Sequence, residues 1–179
     1  MTKAYDAFER SIKDAEELLQ RFDAEKKTSS GQSGEVLKRA GLVMALAAWE
    51  TYVKDRLQSE IDTWLQSVEG SPLGKFVRRR LEEDLKRFFN PNAERTRRIF
   101  MDYFDVDITK DWVWANYDSS ASKKKLDALV AKRGDAAHKA KTAPHPSAEP
   151  HKVTREELDK GIRFLKGLAA ATENAKITR

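Results

Sequence analysis

Three residues that could together cleave a phosphodiester bond lie within six positions of this sequence: Arg133, Asp135 and His138. An arginine presents planar N–H donors that match phosphate oxygens, and an imidazole exchanges a proton near neutral pH. These two groups are the minimum needed to cleave RNA without a metal ion. Asp135 precedes His138 by three residues, where on a helix it could orient the imidazole or raise its pKa.

The same stretch lies in the most basic part of the chain. Residues 123–141 hold seven basic and two acidic residues, a net charge of +5, which equals that of the whole chain. This favours a phosphate-rich partner, here RNA. The candidate RNA-binding residues beside the motif are Lys132, Lys139 and Lys141. A solvated, lysine-rich helix is the alternative interpretation.

Composition excludes several other kinds of site. The chain has no cysteine, so disulfides, thiolate zinc sites and cysteine nucleophiles are absent. The other two histidines, His145 and His151, follow no recognised metal-ligand spacing, and we expect neither a metal nor another cofactor. The longest apolar run, residues 40–49, is too short to span a membrane. We therefore expect a single cytoplasmic domain over residues 1–179 that has no membrane partner.

Apolar periodicity predicts helices throughout. In the first helix Phe8, Ile12, Ala15, Leu19 and Phe22 form one stripe. A loop is predicted at residues 28–34 and a second helix at about 35–68, apolar on all sides over residues 40–49 and so expected to be central.

The second half of the chain is predicted to be helical as well. Asn90-Pro91 is expected to start a helix that ends near residue 104, and Trp112 and Trp114 are expected to dock on the core. The serines at 119, 120 and 122 offer caps for the helix that carries the motif, and Thr154 with Glu157 forms a capping box for the last one. The predicted fold class is all-α, a bundle of about five to six helices with a long apolar second helix.

These features together resemble the HEPN superfamily. Arg133 and His138 match its Arg-x4-6-His motif, which lies late in an all-helical domain. The segment 45–54, which contains Glu50, is similar to the family's long second helix. Segments 88–94 and 104–108 are similar to the middle of the RiboL-PSP-type branch. The resemblance covers roughly residues 5–168.

The resemblance implies a metal-independent endoribonuclease, often the toxin of a toxin–antitoxin or other defence system, with an antitoxin protein as a possible partner. It also implies a homodimer in which two motifs meet in one composite cleft. Arg133 and His138 take the two defining positions. Gly134 stands where the family usually has a polar residue, and Asp135 follows one position later.

The residue types fit that chemistry. Cleavage requires deprotonation of the ribose 2′-OH, stabilisation of the phosphorane and protonation of the 5′-oxygen. His138, with an ordinary pKa of about 6.5, can act as base or acid, and Arg133 can stabilise the charge. Each chain supplies one motif histidine, so separate acid and base roles require two copies.

Several alternatives stay open. Arg133 and His138 are five residues apart, about 140° around an ideal helix, so either both reach into a cleft or the helix is distorted at Gly134. Glu50 either contacts the motif arginine or points outward. The arginines at 78–80, 95, 97 and 98 form either solvated helix faces or a track for RNA. The competing functions are a non-catalytic HEPN-like module, which binds nucleic acid, nucleotide or a partner protein, and a helical scaffold.

Overall fold

The computed structural model describes residues 1–25, 32–138 and 153–177, with backbone only at residues 25, 32–33 and 135–138. Within these ranges the chain is all-α, as predicted, and has no strand. The helices are α1 (Lys3–Glu25), α2 (Gln32–Leu65), α3 (Pro72–Lys86), α4 (Ala93–Phe104), α5 (Ser119–His138) and α6 (Arg155–Asn174). Two short 3-10 helices occupy Gln66–Val68 and Ile108–Asp111.

The core forms where α1, α2 and α6 meet. The stripe on α1 is buried from Phe8 to Leu19, and α1 packs most extensively against α2. α6 packs against both helices. α2 runs for 34 residues; Trp49 and Leu57 are fully buried, whereas Met44 is 38% exposed. Trp64 is also partly exposed and packs edge-on against Phe104.

The start of α4 differs from the prediction. The helix begins at Ala93, and Asn92 is its cap, accepting a hydrogen bond from the Arg95 amide at 2.8 Å. Asn90, the predicted cap, has a φ of 50° in the left-handed region. Asparagine adopts that conformation more readily than most residues, so the Asn-Pro pair forms a turn before the helix.

The start of α5 was also assigned to the wrong residue. The cap is Asp118, whose Oδ1 accepts from the Ala121 amide at 2.7 Å. Two of the three serines bond the segment before α5 instead: Ser119 donates to the Thr109 carbonyl and Ser122 to the Trp112 carbonyl. These bonds fix α5 to the segment that precedes it.

The second helix begins at Gln32, inside the predicted loop, and ends at Leu65. The predictions for the two tryptophans and for the start of the last helix are confirmed. Trp112 is fully buried and donates from Nε1 to the Thr172 hydroxyl at 2.9 Å, and Trp114 packs against Phe164 of α6. Both bonds of the Thr154–Glu157 capping box are present at the start of α6.

A buried carboxylate ties α6 to the first two helices. Glu173 accepts from the backbone amide of Thr2 at 2.5 Å and from the Tyr52 hydroxyl at 3.2 Å. Its side chain is only 6% exposed, and Arg56 Nε lies 3.6 Å away. None of the six helices, over the residues that the structure describes, combines the length and apolarity that a membrane crossing requires.

Candidate functional site

The motif occupies the C-terminal turns of α5. The helix runs without a break from Ser119 to His138, and Gly134 is not among the residues with a positive φ. The distortion considered at Gly134 is therefore not observed. On this regular helix the backbone positions of Arg133 and His138 lie about 140° apart around the axis. A site that uses both must therefore reach around α5 or draw on a second copy of it.

Arg133 is held by two elements far away in the sequence. Its Nη1 donates to Asn90 Oδ1 at 2.5 Å and lies 3.4 Å from Glu50 Oε2. The side chain is 23% exposed, so the guanidinium is partly buried but accessible. Both contacts use Nη1, and an arginine has further N–H donors on Nε and Nη2.

Glu50 organises the surroundings of that guanidinium. Its carboxylate accepts from Lys54 Nζ at 2.8 Å and from the backbone amide of Asn90 at 3.1 Å. Burial alone would raise the pKa of Glu50, but these hydrogen bonds and the charges of Lys54 and Arg133 outweigh it, so the pKa is lowered. Glu50 is thus a carboxylate at neutral pH and faces Arg133 rather than solvent.

The turn before α4 is fixed from both sides. From α2, Trp49 Nε1 donates to the Pro91 carbonyl at 3.1 Å in the buried interior. From α5, Asp127 Oδ1 accepts from the Ala93 amide at 2.8 Å. Asn90 is therefore presented to Arg133 by a backbone that α2 and α5 hold in place.

Asn90 and Lys54 were not identified from the sequence as site residues. The sequence predicts Asn90 as a helix cap, and Lys54 enters only as the last residue of the segment that resembles the family's second helix. The position of Asn90 next to the glutamate-bearing helix becomes visible only in three dimensions.

Lys132 makes a contact that its assignment to RNA did not anticipate. Its Nζ lies 2.5 Å from Glu157 Oε1 on α6. The hydrogen bond from Lys132 is the largest cause that lowers the pKa of Glu157 to about 2. In this conformation Lys132 links α5 to α6 and its charge is locally compensated.

The other predicted site residues cannot be placed in full. Asp135 and His138 lie on the helical backbone of α5, but their side chains are outside the described part of the chain. Lys139, Lys141, His145 and His151 also fall outside the described residues. The described side chains include no group of three His, Cys, Asp or Glu suited to a metal ion.

An exposed aromatic residue borders the Arg133 contacts. Phe89 is 55% exposed, and Lys54 Nζ lies 5.5 Å from the centre of its ring, a cation–π distance. The Phe89 carbonyl accepts from Arg95 Nη1 at 2.5 Å. A continuous set of contacts therefore leads from Arg133 through Glu50 and Lys54 to an aromatic ring in solvent.

Comparison with known proteins identifies the family. The family model described as RiboL-PSP-HEPN matches residues 9–175, a range that includes most of α1 and all of α2 to α6. A search of the curated proteins and a search of the solved structures found no match. The match spans nearly the whole chain and contains every contact of Arg133 described above. The chain belongs to the RiboL-PSP-HEPN family, within the HEPN superfamily.

Proposed function

We propose that this HEPN module is a metal-independent endoribonuclease that acts as a toxin or defence effector. The observation that supports it most directly is the placement of Arg133: partly buried, held by Glu50 and Asn90, and five residues before His138 on the same helix. A positioned guanidinium at an accessible surface is suited to stabilising a charged phosphorane.

In the proposed reaction the 2′-oxygen attacks the adjacent phosphorus. One His138 imidazole removes the 2′-OH proton, the O2′–P bond forms, and the P–O5′ bond breaks as a second imidazole protonates the leaving oxygen. The products are a 2′,3′-cyclic phosphate and a 5′-OH. Arg133 stabilises the phosphorane and Asp135 orients the imidazole.

The two imidazoles come from two chains in a homodimer. Each chain carries one motif histidine, and its position on α5 is about 140° around the helix axis from that of Arg133. A second motif across a two-fold axis supplies the missing groups to one cleft. A protein antitoxin would act by covering that cleft.

The test is cleavage of RNA in EDTA by the wild type, Arg133→Ala and His138→Ala. We expect the wild type to leave 2′,3′-cyclic phosphate ends and both variants to be inactive. Equal cleavage by the wild type and His138→Ala would assign the activity to a contaminant and refute the mechanism.

A mixing experiment tests the composite site. Wild type and His138→Ala are allowed to exchange subunits at varying ratios and constant total protein. If both histidines of a dimer are needed, total activity falls as the square of the wild-type fraction. A linear decrease would show that one chain suffices.

The second candidate is a non-catalytic HEPN-like module that binds nucleic acid, nucleotide or a partner protein. Gly134 favours it, since no polar side chain stands directly after the motif arginine. This function predicts salt-sensitive RNA binding without cleavage.

A further inference from the structure

An open cleft of about 400 Å³ lies between α3 and α4 and includes Phe88 of the turn that joins them. Phe88 and Ile99 form its apolar floor. Its walls carry four arginines and two aspartates: Arg80, Arg87, Arg95, Arg98, Asp84 and Asp102. Both the shape and the excess of positive charge suit an anion.

The aspartates compensate only part of this charge. Arg80 Nε lies 3.1 Å from Asp84 Oδ2, and Arg98 Nε lies 3.8 Å from Asp102 Oδ2. Arg95 donates to the Phe89 carbonyl. Arg87 has no side-chain hydrogen bond or ion pair with any described residue. The side chains that line the cleft therefore carry a net charge of +2. The repulsion between the arginines would be reduced by a bound anion.

The cleft and the Arg133 contacts share one short segment. Phe88 lines the cleft, Phe89 exposes its ring, and Asn90 bonds Arg133. Consecutive Cα atoms are about 3.8 Å apart, so the backbone positions of these three residues are close neighbours. Arg95, which lines the cleft, donates to the Phe89 carbonyl, and the Asn90 amide donates to Glu50.

We propose that the arginine cleft binds a backbone phosphate of single-stranded RNA while Phe89 stacks on an adjacent base. An unpaired base has a free face for an aromatic ring, whereas a base in a duplex does not. This inference deepens, and rests on, the proposed ribonuclease function, because it defines the substrate as unpaired RNA that approaches Arg133 along this turn.

The experiment uses the full chain and a fluorescein-labelled 2′-O-methyl oligouridine. This RNA cannot be cleaved by the proposed reaction, because it lacks the 2′-OH that acts as the nucleophile. Binding is measured by fluorescence anisotropy over a range of salt concentrations. The cleft variants are Arg87→Gln and Arg98→Gln, and the stacking variants are Phe89→Leu and Phe89→Trp. Arg79→Gln is the matched control, since Arg79 is exposed on α3 about 100° around the helix from Arg80.

Each cleft variant should weaken binding by roughly three- to tenfold and lower the salt slope by about one. Phe89→Leu should weaken it about fivefold or more, and Phe89→Trp should restore it. Arg79→Gln should bind like the wild type, and a duplex of the same chemistry should bind more weakly than the single strand. Thermal melts establish that each variant is folded.

Three results would overturn the proposal. The first is equal weakening by Arg79→Gln, which would indicate a diffuse charge effect. The second is duplex binding as tight as single-strand binding. The third is conversion of the protein to monomers by Phe89→Leu, with binding lost in proportion, which would place Phe89 in a subunit interface.

The outcome is separable from that of the ribonuclease test. Cleft-dependent binding of the single strand without cleavage of ordinary RNA would retain this inference and refute the proposed activity. Cleavage that requires His138, with an unchanged KM in Arg87→Gln and Arg98→Gln, would retain the activity and refute the cleft.

Discussion

Arg133 Nη1 donates a 2.5 Å hydrogen bond to Asn90 Oδ1, although the two residues are 43 positions apart in the chain. The backbone at Asn90 has a φ of 50°, a conformation that glycine adopts freely and alanine does not. Two substitutions at residue 90 can therefore separate the loss of the hydrogen bond to Arg133 from the strain of the left-handed backbone.

Asn90→Gly should keep near wild-type stability and still lose activity. It retains the left-handed backbone but removes the acceptor that positions Arg133, which should slow RNA cleavage by roughly 10- to 100-fold. Asn90→Ala should show the same loss and in addition be less stable by about 1 kcal/mol. Urea unfolding and initial cleavage rates measure the two effects, and wild-type cleavage by Asn90→Gly would contradict the positioning role.

Glu50 should contribute a pH-dependent part of the stability. Its pKa is lowered in the folded protein, so its contribution is complete above the unfolded value near 4.5 and is lost as the pH falls through the lower folded value. Between about pH 5 and pH 3 the wild type should lose more unfolding free energy than Glu50→Gln. At pH 7 the variant should be less stable by about 1–3 kcal/mol.

The control for Glu50→Gln is Glu83→Gln on the exposed face of α3. It should follow the wild-type pH dependence within error. If plots of unfolding free energy against pH were parallel for the wild type and Glu50→Gln, the pH-dependent contribution assigned to Glu50 would be refuted.

Comparison of Trp49→Phe with Trp112→Phe separates an effect on the stability of the fold from an effect on the candidate site. Each removes a buried indole donor, from the Pro91 carbonyl in one case and from the Thr172 hydroxyl in the other. Each should destabilise the protein by about 1–3 kcal/mol. Only Trp49→Phe loosens the turn that carries Asn90, so only that variant should lose cleavage rate per folded molecule, and an equal loss in both would refute this division.

Gly134→Ala and Gly167→Ala should change stability in opposite directions. A Cβ at Gly134 meets no heavy atom within 4 Å, so alanine should stabilise α5 by about 0.5–1 kcal/mol. A Cβ at Gly167 on α6 would collide with the Trp114 indole nitrogen, so the same change should destabilise the protein. Thermal melts in one buffer test both, and stabilisation by Gly167→Ala would show that the indole moves aside easily.

The parts of this fold that sequence predicts are those set by neighbouring residues. The stripe from Phe8 to Leu19 and the Thr154–Glu157 capping box depend on spacing of three or four residues, and the structure has both. The residues predicted wrongly as helix caps bond partners outside their own helix instead. Ser119 and Ser122 bond the carbonyls of Thr109 and Trp112 rather than their own helix. The local sequence alone does not show that Asp118, and not one of these serines, is the cap.

The candidate site follows the same rule. Arg133 and Glu50 could be singled out by residue type and by family resemblance, but Asn90 could not, because the Asn-Pro pair fits a cap as well as a turn. Lys132 was identified by charge alone, and its partner Glu157 lies 25 positions later on another helix. A net charge indicates that a surface is basic, but only the fold indicates which charges are already paired.

The buried Glu173 near the end of α6 has a consequence for the newly made chain. α1 and α2 leave the ribosome well before the helix that covers them, since α6 ends at Asn174 and packs on both. Throughout that interval the faces of α1 and α2 that α6 covers lack this cover, and the carboxylate that Thr2 and Tyr52 bond has yet to be translated. Nascent chains that stall before α6 should therefore be sensitive to proteases and should recruit chaperones.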